Sequence, residues 1–198
     1  QYRGITPAHG LYVIGQRFLH RRDSSFIDGA RHDARAISEQ IETSDRSRSV
    51  RPSLPRTSRS VTAVNRSTHD VIIVGARCAG SATAMLLARR GLRVLVLDRA
   101  RYGSDTVSTH ALMRGGVLQL QRWGLLDEIV AAGTPPVTRV VFHYPDETTP
   151  ISLKPAAGVR ALYAPRRTVL DRVLADAATA AGADVRFGVT VTELLRDD

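Results

Sequence analysis
A single cysteine, Cys78, stands in the 198 residues, so no disulfide framework and no cysteine-built metal site can form within one chain. Lysine is equally scarce: Lys154 is the only one, and every other basic side chain of this type is an arginine. Aromatic residues make up 5% of the chain, and none is interleaved with its most basic stretch, which counts against a surface that stacks on nucleobases. No apolar run approaches the roughly 18 residues that a membrane helix needs. No N-terminal apolar segment with a small-residue cleavage site is visible. Arg21 and Arg22 are followed by polar residues where a twin-arginine signal needs a hydrophobic segment. These absences lead to the expectation of a soluble, cytoplasmic chain without a membrane span.

What is present is a globular composition, 43% hydrophobic and 24% charged, long enough for one domain of about 100 to 200 residues, with or without a tail. The net charge of +9 resolves into parts when followed along the sequence. Residues 1–45 carry six arginines and six acids, residues 46–69 six arginines and no acid, and residues 70–198 sixteen bases and thirteen acids. The excess is therefore largely local, and arginine in place of lysine is a habit of the whole chain. Residues 46–69, RSRSVRPSLPRTSRSVTAVNRSTH, are rich in Ser, Arg and Pro and follow neither the helical nor the strand period. They are expected to form a disordered linker, because such a composition cannot bury enough apolar surface to offset ordering entropy. The linker divides a short N-terminal piece, residues 1–45, from a well-patterned segment, residues 70–198.

That segment opens with VIIVG, an apolar β-branched run expected to be a parallel strand buried on both faces. Ala82, Met85 and Leu86 then share a helical face, and Arg89, Arg90 and Gly91 supply a cationic end and a stop. RVLVLD, Arg93 to Asp98, reads as a second strand, completing a strand-helix-strand unit. Further helices are expected over Leu112 to Trp123 and Leu126 to Val130, and a strand over Val137 to Tyr144. From Thr168 to Ala181 the residues Val169, Leu170, Val173, Leu174, Ala177, Ala178 and Ala181 make one apolar stripe, closed by Gly182. Alternation at Val185, Phe187, Val189 and Val191 follows, so a third parallel strand is expected from Asp184 to Val189.

The chemistry lies in GARCAGS, Gly75 to Ser81, between the first strand and its helix. It keeps the first and third glycines of G-x-G-x-x-G and has Arg77 in the middle. The first glycine permits a tight turn and Gly80 lets helix and strand pack closely, while the middle glycine normally lets backbone approach a diphosphate. The Arg77 side chain must then point away from a bound nucleotide or lie along it. The helix-start amides and the positive end of the helix dipole still favour a diphosphate. Asp98 falls 23 residues after Gly75, close to the roughly 20-residue spacing at which a carboxylate meets the ribose hydroxyls of an adenosine. The alternative is a structural turn in which Asp98 caps a strand.

The run VIIVGARCAGSATAMLLARRGLRVLVLDRARYGSDTVSTHALMRGGVLQLQRWGLL resembles the N-terminus of FAD-dependent oxidoreductases of the para-hydroxybenzoate hydroxylase and geranylgeranyl reductase type. Many of those carry GARCAG-like turns, and Asp98 with Arg99 matches the acidic-basic pair that closes their second strand. RRTVLD, Arg166 to Asp171, resembles their R-x-x-L-D helix start, which implies that Arg167 lies near the FAD diphosphate or adenine. The resemblance covers residues 70–195. It implies an α/β, Rossmann-like FAD-binding domain with a parallel sheet, and a flavoprotein oxidoreductase of monooxygenase or reductase type. FAD is its cofactor and NAD(P)H a candidate reductant. The expected cofactor-binding set is Gly75, Arg77, Cys78, Ala79, Gly80, Asp98, Arg99 and Arg167. Complete members continue into further substrate-domain strands, an Asp-Gly motif and a late Gly-Asp motif, so the resemblance implies an incomplete domain, a fragment or fusion. No catalytic side chain need appear, because the flavin performs the redox chemistry, and the catalytic residues stay open.

Cys78, placed in the turn, is expected to pack rather than react. His110 in DTVSTH can approach a flavin, yet it lacks a partner at motif spacing, and the other histidines show no metal-ligand spacing. Two other functions stay open: NAD binding on the same fold, and a non-enzymatic basic protein contacting nucleic acid through residues 46–69. The second is the poorer, for want of aromatics among its arginines.

Ile5 to Ile41 is similar to the C-terminal end of another flavoprotein group, in which a strand ending in glycine meets the flavin and leads to a last helix. The likeness implies that Leu11 to Ile14 is that strand and Gly15 its end, with Gln16 in place of the usual Asp. A flexible linker of this length reaches roughly 25 to 30 Å, enough to bring Leu11 to Ile14 beside Val71 to Val74, with a helix near Ala34 to Ile41 covering it. Deleting residues 1–45 is then expected to lower the melting temperature of the chain. An unchanged transition in thermal denaturation would make the piece an undocked appendage.

Overall fold
The structure is a computed structural model that describes residues 35, 39–40, 69–108 and 111–194. Of the N-terminal piece it describes only Arg35, Glu39 and Gln40, which are helical and exposed, with an Arg35–Glu39 ion pair of 2.8 Å. The expected strand at Leu11 to Ile14, nearly all of the linker and His110 lie outside the described residues.

The core element is a parallel sheet of β1 (Val71–Val74), β2 (Val94–Asp98) and β7 (Asp184–Phe187), in the order β1-β2-β7. Helix α1 (Cys78–Ala88) joins the first two strands, and α4 (Arg167–Ala180) leads into the third. Between them come α2 (Arg114–Trp123), α3 (Leu126–Ala131) and four short strands: β3 (Pro136–Val137), β4 (Arg139–His143), β5 (Thr148–Ser152) and β6 (Leu162–Tyr163). The parallel unit, the helix between its strands and the late helix-strand pair thus follow the apolar patterning of the sequence.

Register explains which side of the sheet is buried. Val71 pairs with Val94 and Ile73 with Val96, and Val96 with Val185 in turn, so these side chains share one face. That face packs against α1 and α4, where Met85, Leu87, Leu170 and Leu174 are fully enclosed. Ile72 pairs with Leu95 and Val74 with Leu97 on the other face, where Ile72 is 62% and Val74 68% exposed. The expectation of a first strand buried on both sides is therefore corrected: among the described residues both covering helices lie on one side. Helix α1 departs from expectation in the opposite sense. Instead of one apolar stripe it buries most of its circumference, Ser81 to Met85 together with Leu87 and Ala88, because it lies between sheet and α4.

Other boundaries shift for identifiable reasons. Helix α1 starts at Cys78, before Gly80, and ends before Arg89 and Arg90, so the two cations flank its C-terminus rather than occupy its last turn. Helix α2 begins at Arg114 because the Leu112 amide donates to the Tyr163 carbonyl (2.7 Å). The expected strand from Val137 to Tyr144 is divided: Val137 pairs with Leu162, whereas β4 forms a hairpin with β5. β5 and β6 were not anticipated; every residue of β5 is exposed and β6 has two residues. Strand β7 stops at Phe187, two residues early, because Gly188 adopts φ 74°. The chain stays attached there, since the Gly188 and Val189 amides donate to the carbonyls of Ala100 and Asp98 (both 3.0 Å).

Two devices fix β1 against its neighbours. At its start Asp70 accepts from the Arg93 amide (2.8 Å), Nε (3.1 Å) and Nη2 (2.6 Å), which holds the Asp70 carboxyl below its usual value. Past its end, a Cβ added at Gly80 would lie 1.8 Å from the Gly75 carbonyl oxygen. Backbone has no room to yield there. Gly80→Ala is expected to cost about 3 kcal/mol or more and to lower the melting temperature by about 10 °C or more. Gly91→Ala, strained only through its φ of 82° with open space around it, is expected to cost about 1 kcal/mol. Thermal denaturation of the two variants in parallel checks the order; equal losses would contradict the close approach.

Candidate functional site
The glycine turn sits where β1 ends and α1 begins, and its shape follows from a few bonds. Gly75 takes φ 104°, open to glycine and strained for other residues, while its amide extends the β1–β2 ladder to the Leu97 carbonyl (2.8 Å). Asp98, 8% exposed, accepts the Ala76 amide at Oδ2 (2.6 Å) and the Ala100 amide at Oδ1 (2.7 Å). Ser81 Oγ donates to the Ala76 carbonyl (2.7 Å). The turn is thus held from the end of β2 and from the first turn of α1 at once. Arg77 is the N-cap residue, with extended backbone and no side-chain cap. The amides of Cys78, Ala79 and Gly80 that follow have no intrahelical carbonyl within reach, as at any helix start.

The guanidinium at position 77 is bonded to α4 and to the loop at Ser104. Its Nη1 donates to Asp171 Oδ2 (2.9 Å) and to the Ser104 carbonyl (2.8 Å), and its Nη2 to Ser104 Oγ (3.1 Å). Arg77 is thereby held against the buried carboxylate of Asp171. Arg167, at the first position of α4, reaches the same carboxylate: Nε and Nη2 donate to Asp171 Oδ1 at 3.1 and 3.0 Å. Cys78 Sγ donates to that oxygen as well, at 3.0 Å. Asp171 is 6% exposed. One buried carboxylate therefore gathers two guanidinium groups and the lone thiol beside the start of α1.

The structure consequently brings Gly75, Arg77, Cys78, Ala79, Gly80 and Asp98 together at one turn, and sets Arg167 next to Arg77 through Asp171. Arg99 follows Asp98 and is exposed. The sequence reading missed Asp171 as a site residue although it lies within the R-x-x-L-D run. Its signal is a carboxylate interrupting the stripe between Leu170 and Leu174. Ser104, its co-anchor for Arg77, carried no signal. The loop bearing Ser104 is tied to α4, since Tyr102 Oη donates to Asp176 (2.7 Å) and the Tyr102 ring meets Phe187 edge-on at 5.4 Å.

Residues 68–198 match the FAD binding domain family. The squalene monooxygenase of Candida glabrata is 32% identical over 116 residues, which is 56% of this chain and 23% of that protein. Digeranylgeranylglycerophospholipid reductase 1 of Methanococcoides burtonii is 28% identical over 130 residues, 66% of this chain and 31% of the relative. Among solved structures, the myxobacterial chondrochloren halogenase, an FAD-dependent enzyme, superposes with a TM-score of 0.57 at 25% identity, over 65% of this chain and 30% of its own. This chain spans less than a third of the length of each of the three.

The state of Cys78 is directly measurable. Burial and then the neighbouring Asp171 push its thiol up to about 12 from a starting value of 9.0. Because the folded value is the higher one, the thiol's contribution to stability is complete below pH 9 and is lost as pH rises toward 12. At pH 8 the folded chain is expected to react with iodoacetamide roughly 100-fold or more slowly than the urea-unfolded chain. Mass spectrometry of the labelled protein gives both rates, and fast labelling of the folded chain would contradict the thiol's contact with Asp171.

Proposed function
Since most of its length matches it, this chain belongs to the FAD binding domain family, and we propose that it forms the nucleotide-binding part of a flavin-dependent oxidoreductase. The cofactor that goes with the family is FAD, which sets aside NAD as the primary ligand of the turn. The observation that carries the proposal is the turn at Gly75 to Gly80, closed so tightly that position 80 admits no side chain and braced by the carboxylate that ends β2.

The residues present fit an adenosine diphosphate group. The amides of Cys78, Ala79 and Gly80, at the positive end of α1, are the donors for a diphosphate. Asp98 has given two of its roughly four lone-pair positions to backbone amides, and the others are left to accept ribose hydroxyls. Arg99, exposed next to Asp98, belongs to the rim in this reading. Arg77 and Arg167 share a single carboxylate, so the cluster keeps a net positive charge beside the amides, which supports a diphosphate there. When bound, FAD supplies hydride and oxygen chemistry; the chain's own residues bind and orient its nucleotide half.

The relatives include proteins named squalene monooxygenase, rifampicin monooxygenase and digeranylgeranylglycerophospholipid reductase. The class they share is redox transfer to or from a small organic molecule, and that is the activity proposed, with NAD(P)H as candidate reductant. No helix among the described residues is long and apolar enough to cross a membrane. A cytoplasmic setting, in which a free thiol such as Cys78 stays reduced, belongs to the same proposal.

Titration with FAD, followed by flavin fluorescence quenching, tests it. The chain is expected to bind FAD, and Asp98→Ala to weaken binding by about 10- to 100-fold, the loss of a charged hydrogen bond worth roughly 1.5 to 3 kcal/mol. Cys78→Ser is expected to have a smaller effect, because serine can donate to Asp171 as the thiol does. Absence of FAD binding by the wild-type chain would sink the proposal, and equal effects of the two substitutions would remove Asp98 from the ribose.

A further inference from the structure
We propose that Asp171 is a positioning residue for the nucleotide turn: it holds Arg77 off the amides of Cys78, Ala79 and Gly80 and so keeps them open to a diphosphate. The inference rests on the nucleotide-binding reading and adds the device that lets this turn work without its middle glycine. In G-x-G-x-x-G the middle residue is glycine because backbone must approach the diphosphate closely. An arginine there has two places to go. Folded across the amides, its guanidinium would occupy the anion's position. Turned outward, it needs a partner able to hold a long, flexible cation in one place.

The structure supplies that partner from a distant part of the chain. Asp171 lies on α4, 94 residues from Arg77, and its carboxylate is almost wholly buried. A buried carboxylate needs charge compensation and hydrogen bonds, and Arg77 provides both through Nη1. The Ser104 carbonyl and hydroxyl take further Arg77 protons, so the fork is fixed in orientation as well as in place. Arg167 is bound to the other carboxylate oxygen, which divides the carboxylate between the two cations. Lysine at position 77 would carry the charge without the planar fork that spans Asp171 and Ser104 together.

The test is a double-substitution cycle on the full chain, with FAD dissociation constants read by flavin fluorescence quenching and folding checked by circular dichroism. Asp171→Asn is expected to weaken FAD binding by about tenfold, the size of coupling found between residues in contact. Adding Arg77→Gly to Asp171→Asn is expected to recover most of that loss, since the released side chain is gone and the middle glycine is restored. A purely structural role for Asp171 predicts no such recovery. If the double variant binds no better than Asp171→Asn, the proposal is overturned while the cofactor reading stands. If the wild-type chain binds no FAD, both fall. Should Asp171→Asn fail to fold, Asp171→Ser alone and combined with Arg77→Gly decide the matter by the same comparison: the proposal requires the combination to bind FAD more tightly than Asp171→Ser, and equal or weaker binding overturns it.

Discussion
The carbonyl of Gly75 lies where a side chain at position 80 would begin, and the arrangement of strand, turn and first helix depends on that contact. With no Cβ between them, the start of α1 lies directly against the end of β1. The helix then packs against α4 along most of its buried side, which brings Asp171 within reach of Arg77 and Cys78. A larger residue at position 80 would displace α1 from β1, and with it the contact between its first turn and α4. The same approach sets the direction in which the first-turn amides point, so a steric fact about one glycine becomes an electrostatic fact about the turn.

Two buried carboxylates bond to this turn, and they are satisfied in different ways. Asp98 is bonded by backbone amides alone, which fix its position without adding charge. Asp171 is bonded by two guanidinium groups and a thiol, which leave the cluster with a net positive charge. Carboxylates of the first kind shape backbone, and those of the second hold long side chains in one orientation. Both need partners to offset the cost of leaving water, and each finds some of them in the turn and the rest beside itself on its own segment, Ala100 for Asp98 and Arg167 for Asp171.

The parallel unit and the late helix-strand pair were legible because their apolar residues recur at the periods of helix and strand. Gly75, Gly80 and Asp98 were legible because their spacing states a backbone geometry. The partner of Arg77 was left open, since it is a carboxylate 94 residues away that no local pattern reveals. The exposed face of β1 was misread for a related reason: Val71 to Val74 are all β-branched and apolar, so the sequence carries no alternation to show that only two of them meet the core. The short strands between α3 and α4 were read only in part, because β5 is exposed throughout and β6 has two residues, too little for a period to register.

The distance along the chain between Arg77 and Asp171 also bears on how the protein is made. The glycine turn emerges from the ribosome long before the carboxylate that its arginine meets, and β7 follows later still. Contacts between residues so far apart must close a long loop before they gain anything. The glycine turn is thus among the first parts of this domain to be synthesised, and until α4 docks Arg77 lacks its buried partner.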